Sequence, residues 1–305
     1  MKVVAYFGGA PNPTRSNHKL DILHDIIEGV NKSGDKGVEH YHRTIEECDV
    51  GVIQGFVHEQ SDRVPHLNFR RDVLADPTPT LIADSNLFNY RTGKEHPTMY
   101  HRWSLNGVFP TTGNYFDYNI KPKRWELISK DLNLKLQPYR KNGNHILICC
   151  QRNGGWSMRG YDVRDWLVST VKKIKKFSNR PIVIRPHPGD KHAYRYIKSL
   201  KHQFNIKHTI SSNRNIVTDL DNAWATVTYN SSPSVVSAIE GIPVFITDPE
   251  PQHSQAYEVA NTSLAKLESP EEFDRLEWVQ KLSMCHWSKD ELRSGTAWRH
   301  FKEAI

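Results

Sequence analysis

Three short segments carry residue types suited to holding phosphate. The first is Tyr229-Asn230-Ser231-Ser232-Pro233-Ser234, set between an apolar strand pattern and an apolar-periodic helix. Ser232 suits an N-cap and Pro233 the first helical position. Ser231, Ser232 and Ser234 would then place hydroxyls beside unpaired backbone N–H groups, where a helix start attracts anions. Plain helix capping uses the same residues. The second is Arg185-Pro186-His187-Pro188-Gly189. Its prolines stiffen the turn, Arg185 offers a fork for phosphate oxygens, and His187 can donate from either ring nitrogen. A proline-rich turn with incidental charge reads the same way. The third spans residues 151–155, where Gly154 and Gly155 let backbone approach a ligand and Arg152 adds charge. It matches neither the dinucleotide fingerprint nor the Walker A loop. Gly8 and Gly9, after the first apolar run, have the same character.

The elements that must position these segments alternate between strand and helix patterns. In the first half, residues 2–7, 49–57 and 80–83 read as strands and 17–31 as a helix, while 91–119 read as irregular. In the second, 145–150, 181–185, 224–228 and 243–246 read as strands, with helices at 162–177 and 191–204 and another opening near Ser232. Residues 270–305 look helical. Alternation of this kind implies parallel sheets with right-handed crossovers. The expected fold is α/β: two Rossmann-like halves facing a cleft, divided as 1–140 and 141–280, with a helical tail 281–305. Ligands of such sheets bind beyond the carboxyl ends of the strands, where all three segments lie. Together they offer what a nucleotide diphosphate needs.

Composition excludes other classes. Among 305 residues, eight Trp, twelve Tyr and eleven Phe give too much apolar surface for disorder. Four cysteines without a C-x-x-C pair argue against structural zinc and thioredoxin chemistry, and fit a reducing cytoplasm. No run approaches the roughly 18 apolar residues of a membrane span. Net charge is +7, unevenly spread: residues 119–215 hold 22 Lys+Arg against 5 Asp+Glu, a local +17. That asymmetry points to a polyanionic partner.

The run RPHPGD at 185–190, followed about forty residues later by YNSSPSVVSAIEGIPVFI, resembles the donor domain of GT-B glycosyltransferases. Capsule-polysaccharide transferases and CDP-glycerol glycerophosphotransferases are the nearest relatives in pattern. The resemblance covers residues 144–250, and the chain as a whole also resembles uncharacterised bacteriophage proteins. It implies a nucleotide-sugar donor, UDP-sugar first, with no other cofactor and no metal. By it, Arg185 and His187 hold the diphosphate, Ser231, Ser232 and Ser234 cap it, and Glu240 meets the ribose hydroxyls. At 305 residues the first half must be trimmed, and the C-terminal tail would cross back to it.

An inverting transfer needs a base near the acceptor hydroxyl. Asp84, at a strand end, and His18, near Gly8 and Gly9, are the candidates. The basic middle suits DNA carrying hydroxymethylated bases, as in phage, or an anionic glycan, with charge favouring DNA. A flipped base would meet the aromatic stretch 100–118, whose other use is core packing. Alternatives are a CDP-alcohol phosphotransferase and a non-catalytic nucleic-acid-binding protein. A phage-encoded enzyme would work in the host cytoplasm.

Overall fold

A computed structural model describes residues 1–14, 20–58, 61–91 and 100–305. The strands are β1 (Lys2–Tyr6), β2 (Lys36–His40), β3 (Val50–Gln54), β4 (Thr80–Asp84), β5 (Tyr100–Leu105), β6 (His145–Cys149), β7 (Ile182–Arg185), β8 (Thr209–Ile210), β9 (Ala223–Thr228), β10 (Val244–Ile246) and β11 (His286–Ser288). The helices are α1 (Asp21–Lys32), α2 (Pro65–Ala75), α3 (Pro122–Asp131), α4 (Val163–Phe177), α5 (Ala193–Phe204), α6 (Ile216–Leu220), α7 (Pro233–Ile239), α8 (Leu276–Ser283), α9 (Lys289–Arg293) and α10 (Thr296–Lys302). The chain forms two units, Met1–Leu132 with Gln280–Ile305, and Asn133–Val279.

The first unit is built on a sheet of order β11-β5-β4-β3-β1-β2. Strands β2, β1, β3 and β4 pair in parallel, while β5 is antiparallel to β4 and β11 antiparallel to β5. The apolar runs KVVAY and TLIAD are buried almost throughout, as parallel strands covered on both faces require. Strand β5 corrects the irregular reading of 91–119. Its sequence, YHRWSL, hides the pattern by placing Arg102 and Ser104 inside the sheet. Tyr100, Trp103, Tyr115 and Phe116 are likewise buried, so these aromatics pack the interior and present no platform for a flipped base.

The tail completes this unit. Trp287, Leu292, Ala297, Trp298 and Phe301 share one apolar core with Val3, Ala5, Ile26 and Val52. Trp298 Nε1 donates to Asp35 at 2.8 Å, and Lys302 Nζ and the N-terminal ammonium donate to the same carboxylate. Lys302, the N-terminus and Trp298 together hold Asp35 well below the usual carboxylate range. The tail is thus helical, as its pattern suggested, but also supplies β11, a three-residue strand too short to show period.

The second unit is an all-parallel sheet of order β10-β9-β6-β7-β8. Helix α4 covers it with Val163, Leu167, Val171 and Ile174, and turns Lys172, Lys173, Lys175 and Lys176 outward. Asp162 caps α4 by accepting from the Arg164 and Asp165 N–H groups, a device that stabilises by about 1 kcal/mol. Cys149 and Cys150 are buried and unpaired, and burial pushes the Cys149 thiol up to about 12. Strands β9, β6 and β7 are neighbours, so the turns after them share the carboxyl edge of this sheet. Among the described residues no helix is long and apolar enough to cross a membrane.

Candidate functional site

The turns after β6, β7 and β9 are bound to one another. Asn153, after β6, donates its backbone N–H to Asp190 Oδ2 at 3.1 Å, after β7. The His192 N–H and the Tyr196 hydroxyl donate to the same carboxylate at 2.9 and 3.0 Å. Burial works against the charge of Asp190, but these donors outweigh it and hold the carboxyl below its ordinary range. Gln151, also after β6, donates from its side chain to Asn230 Oδ1, after β9. Asn230 in turn donates to Asp248 Oδ2 at 2.7 Å and to the Ser157 carbonyl at 3.3 Å. The Asp248 side chain has no exposed surface and pairs with Arg159, which also reaches Glu250. Sequence reasoning missed Asn153, Arg159, Asp190 and Asp248 as members of the site. Asp190 stood inside the quoted RPHPGD run, but its partners are non-local and leave no local pattern.

Within this frame His187 is held by its own turn. Its Nδ1 accepts the Gly189 N–H at 3.0 Å, which leaves the ring proton on Nε2. No described residue bonds Nε2. Burial first, with nearby Arg152 adding to it, lowers the His187 pKa against the opposing pull of Asp190. The ring is therefore neutral near pH 7 and offers a single oriented N–H donor. Arg152 is exposed in the adjoining turn, which closes with the Gly155 N–H on the Arg152 carbonyl at 3.0 Å. Gly154 holds φ +70° there, a conformation other residues adopt at a cost of about 1 kcal/mol or more.

Arg185 is placed differently from its sequence reading. Its guanidinium pairs with buried Asp219 and donates to the Asn213 and Arg214 carbonyls, both at 3.0 Å. That fork braces the segment before α6. Of the three serines, Ser232 is exposed and makes no side-chain cap, while Ser231 is buried. Ser234 is also buried, its hydroxyl bound to the Ser231 carbonyl at 2.7 Å and to Ser254 at 3.2 Å. Glu240 lies just past α7, at the opposite end of that helix from Ser232.

In the first unit, Gly8 and Gly9 form a tight 3₁₀ turn after β1. A Cβ on Gly8 would meet the His42 carbonyl oxygen at 2.3 Å. Asp84 ends β4 as a cross-strand partner of Arg102, whose side chain is buried. Asp84 Oδ1 also accepts the Ser85 N–H at 2.7 Å. The expected base thus has a structural partner that the local sequence did not reveal. His18 lies outside the described residues. Among the described residues no group of three or more His, Cys, Asp or Glu could hold a metal ion.

No family model matches the chain. No curated protein matches it in sequence. Solved structures do match in fold. The KpsC β-Kdo 2,7-transferase of Thermosulfurimonas dismutans is similar at 13% identity and a TM-score of 0.54, over 99% of this chain and 100% of that one. The KpsC β-Kdo 2,4-transferase of the same organism is similar at 13% identity and a TM-score of 0.54, over 93% of this chain and 90% of that one. Likeness at this identity is a likeness of fold, and the chain shares with those Kdo transferases an α/β architecture, here two units each built on a largely or wholly parallel sheet.

Proposed function

We propose that this protein is a glycosyltransferase that takes a sugar from a nucleotide-sugar and transfers it to a hydroxyl of an anionic glycan. The observation that carries the reading is the joining of the turns after β6, β7 and β9 through Asn153–Asp190 and Gln151–Asn230. This edge would meet the donor's phosphates with the His187 Nε2–H, the Arg152 guanidinium and the exposed Ser232. Charge developing on the leaving phosphate needs donors fixed beforehand, since reorganising them during reaction raises the barrier. His187 is fixed by Gly189, and its turn by Asp190. Arg185 acts indirectly, by holding the start of the turn against Asp219.

The glycan acceptor is supported by the fold of capsule transferases. The outward lysines of α4, with Lys191, Arg195, Lys198 and Lys201 at and along α5, make an exposed basic face that would tolerate either a glycan or DNA. The test is mass spectrometry of products. The full chain is incubated with UDP-, GDP-, CDP- and CMP-sugars and with anionic polysaccharides or hydroxymethylated DNA. The expected result is a gain of one sugar on a polysaccharide with one donor. A sugar on DNA alone would overturn the acceptor. Steep salt-dependent DNA binding without product from any donor would overturn the enzyme.

A further inference from the structure

The carboxyl edge of the first unit's sheet holds guanidinium groups that lack a directly paired carboxylate. Arg70, from α2, lies back over the strand ends. Its Nε donates to the Gly9 carbonyl at 2.6 Å and its Nη1 to the Gly55 carbonyl at 3.4 Å. Arg43, after β2, donates from Nε to the Gly8 carbonyl at 3.1 Å. These carbonyls follow β1 and β3, neighbours in the sheet, with β2 on the outer side of β1. Bare backbone is what lets Arg70 lie there. A Cβ on Gly9 would stand 3.1 Å from Arg70 Cγ, and one on Gly55, at φ +77°, would stand 2.9 Å from Arg70 Nη1.

Several buried or half-buried arginines face acids: Arg102 meets Asp84, Arg124 meets Glu291, Arg159 meets Asp248 and Arg185 meets Asp219. Buried Arg275 instead donates to the Ala238 and Gln137 carbonyls, with its guanidinium 3.9 Å from the centre of the Tyr139 ring. Arg43 and Arg70 form no such ion pair among the described residues. Burial lowers the Arg70 pKa, with only the more distant charge of Asp84 opposing it. His66, at the start of α2, is lowered by burial, then by Arg70 and by Arg43, so all three groups feel one another. Removing a cation from water without a counter-charge is costly. Arg70 is held by two neutral carbonyls, and its Nη2, which has no described partner, can still donate to an anion.

We propose that Arg43 and Arg70 form an oxyanion site on the first unit, which takes a carboxylate or phosphate group carried by the sugar acceptor. Its assignment to the acceptor rests on the transferase reading, whereas the anion site stands on its own geometry. The two arginines reach it from separate elements, one after β2 and one from α2, so an oxyanion would bridge them. A neutral sugar would leave both unpaired.

The test follows the Arg43 and Arg70 Nε–H signals by NMR in the full chain during titration with glucuronate, glycerol 3-phosphate and glucose. At least one anion should move both signals, and glucose should move neither. The anion that binds more tightly identifies the source as sugar acid or phosphate ester. R43Q and R70K should each weaken that binding about ten-fold or more, as loss of a charge-assisted pair implies. If R70K fails to fold, exposed Arg43 still decides through R43Q. Silence of both signals toward both anions, or binding by R43Q within about two-fold of wild type, would overturn the site. Nucleotide-sugar binding measured on the same samples separates the readings: its absence with anion binding intact would remove the acceptor assignment alone.

Discussion

The backbone N–H of Asn153 and the carboxylate of Asp190 meet at 3.1 Å, fastening the turn after β6 to the turn after β7. Asp190 also receives the His192 N–H and the Tyr196 hydroxyl, so one side chain fixes the turn that carries His187. D190A should cost about 1–3 kcal/mol in urea denaturation, the scale of lost bonds to a charged group. The stabilisation by Asp190 is present above its unfolded pKa and fades as pH falls through its lower folded value. Wild type should therefore lose stability toward acid more steeply than D190N. Parallel pH profiles for the two would contradict this.

His187 is expected to bind the donor as a neutral Nε2–H donor. H187A should weaken nucleotide-sugar binding by about ten-fold, with the unfolding midpoint little changed, since a hydrogen bond to phosphate supplies about 1.5–3 kcal/mol. Because burial lowers its pKa below that of a free imidazole, the ring is neutral at pH 7 and above, and affinity should be flat from about pH 7 to about pH 8. Calorimetric titration at several pH values checks both. Affinity that falls across that range would mean that the protonated ring does the binding.

Asp84 and Arg102 invite a separation of roles. The Arg102 side chain is 5% exposed, so D84A strands a buried cation and should cost about 3–5 kcal/mol. D84N keeps the shape and removes the charge. A structural role predicts a lower denaturation midpoint and turnover reduced only in proportion to the folded fraction. A D84N protein of wild-type stability with no turnover would instead make Asp84 the base.

Trp298 tests the tail. It is fully buried in the first unit's core and bonds Asp35. W298A should cost about 3–5 kcal/mol, as large aromatic deletions do. Because this residue is far along the chain from the turns of the second unit, nucleotide binding by the folded fraction should persist. A midpoint unchanged in thermal unfolding would show that the tail is dispensable.

The second unit was legible because its signals are local. Helix α4 repeats Val163, Leu167, Val171 and Ile174 at helical spacing, and β6, β7 and β9 are short apolar runs ending in turn residues. Strand β5 was missed because its buried Arg102 is satisfied by Asp84 across the sheet, a pairing 18 residues distant. The ion pair of Arg185 was hidden for a similar reason: its partner Asp219 lies 34 residues away. His187, by contrast, keeps its bond with Gly189 inside a proline-braced turn that the sequence displays. The placement of Arg70 over Gly9 and Gly55 was invisible, since nothing in α2 announces which of its side chains folds back over neighbouring strands.

The account depends on a nucleotide-sugar resting against the turns after β6, β7 and β9. Hydrogen-exchange mass spectrometry of the full chain, with and without each member of the donor panel, tests that directly. One donor should slow exchange at residues 151–155, 187–190 and 230–232 together, and H187A should weaken that protection. Protection by no donor, or protection that spares these three turns, would contradict the account.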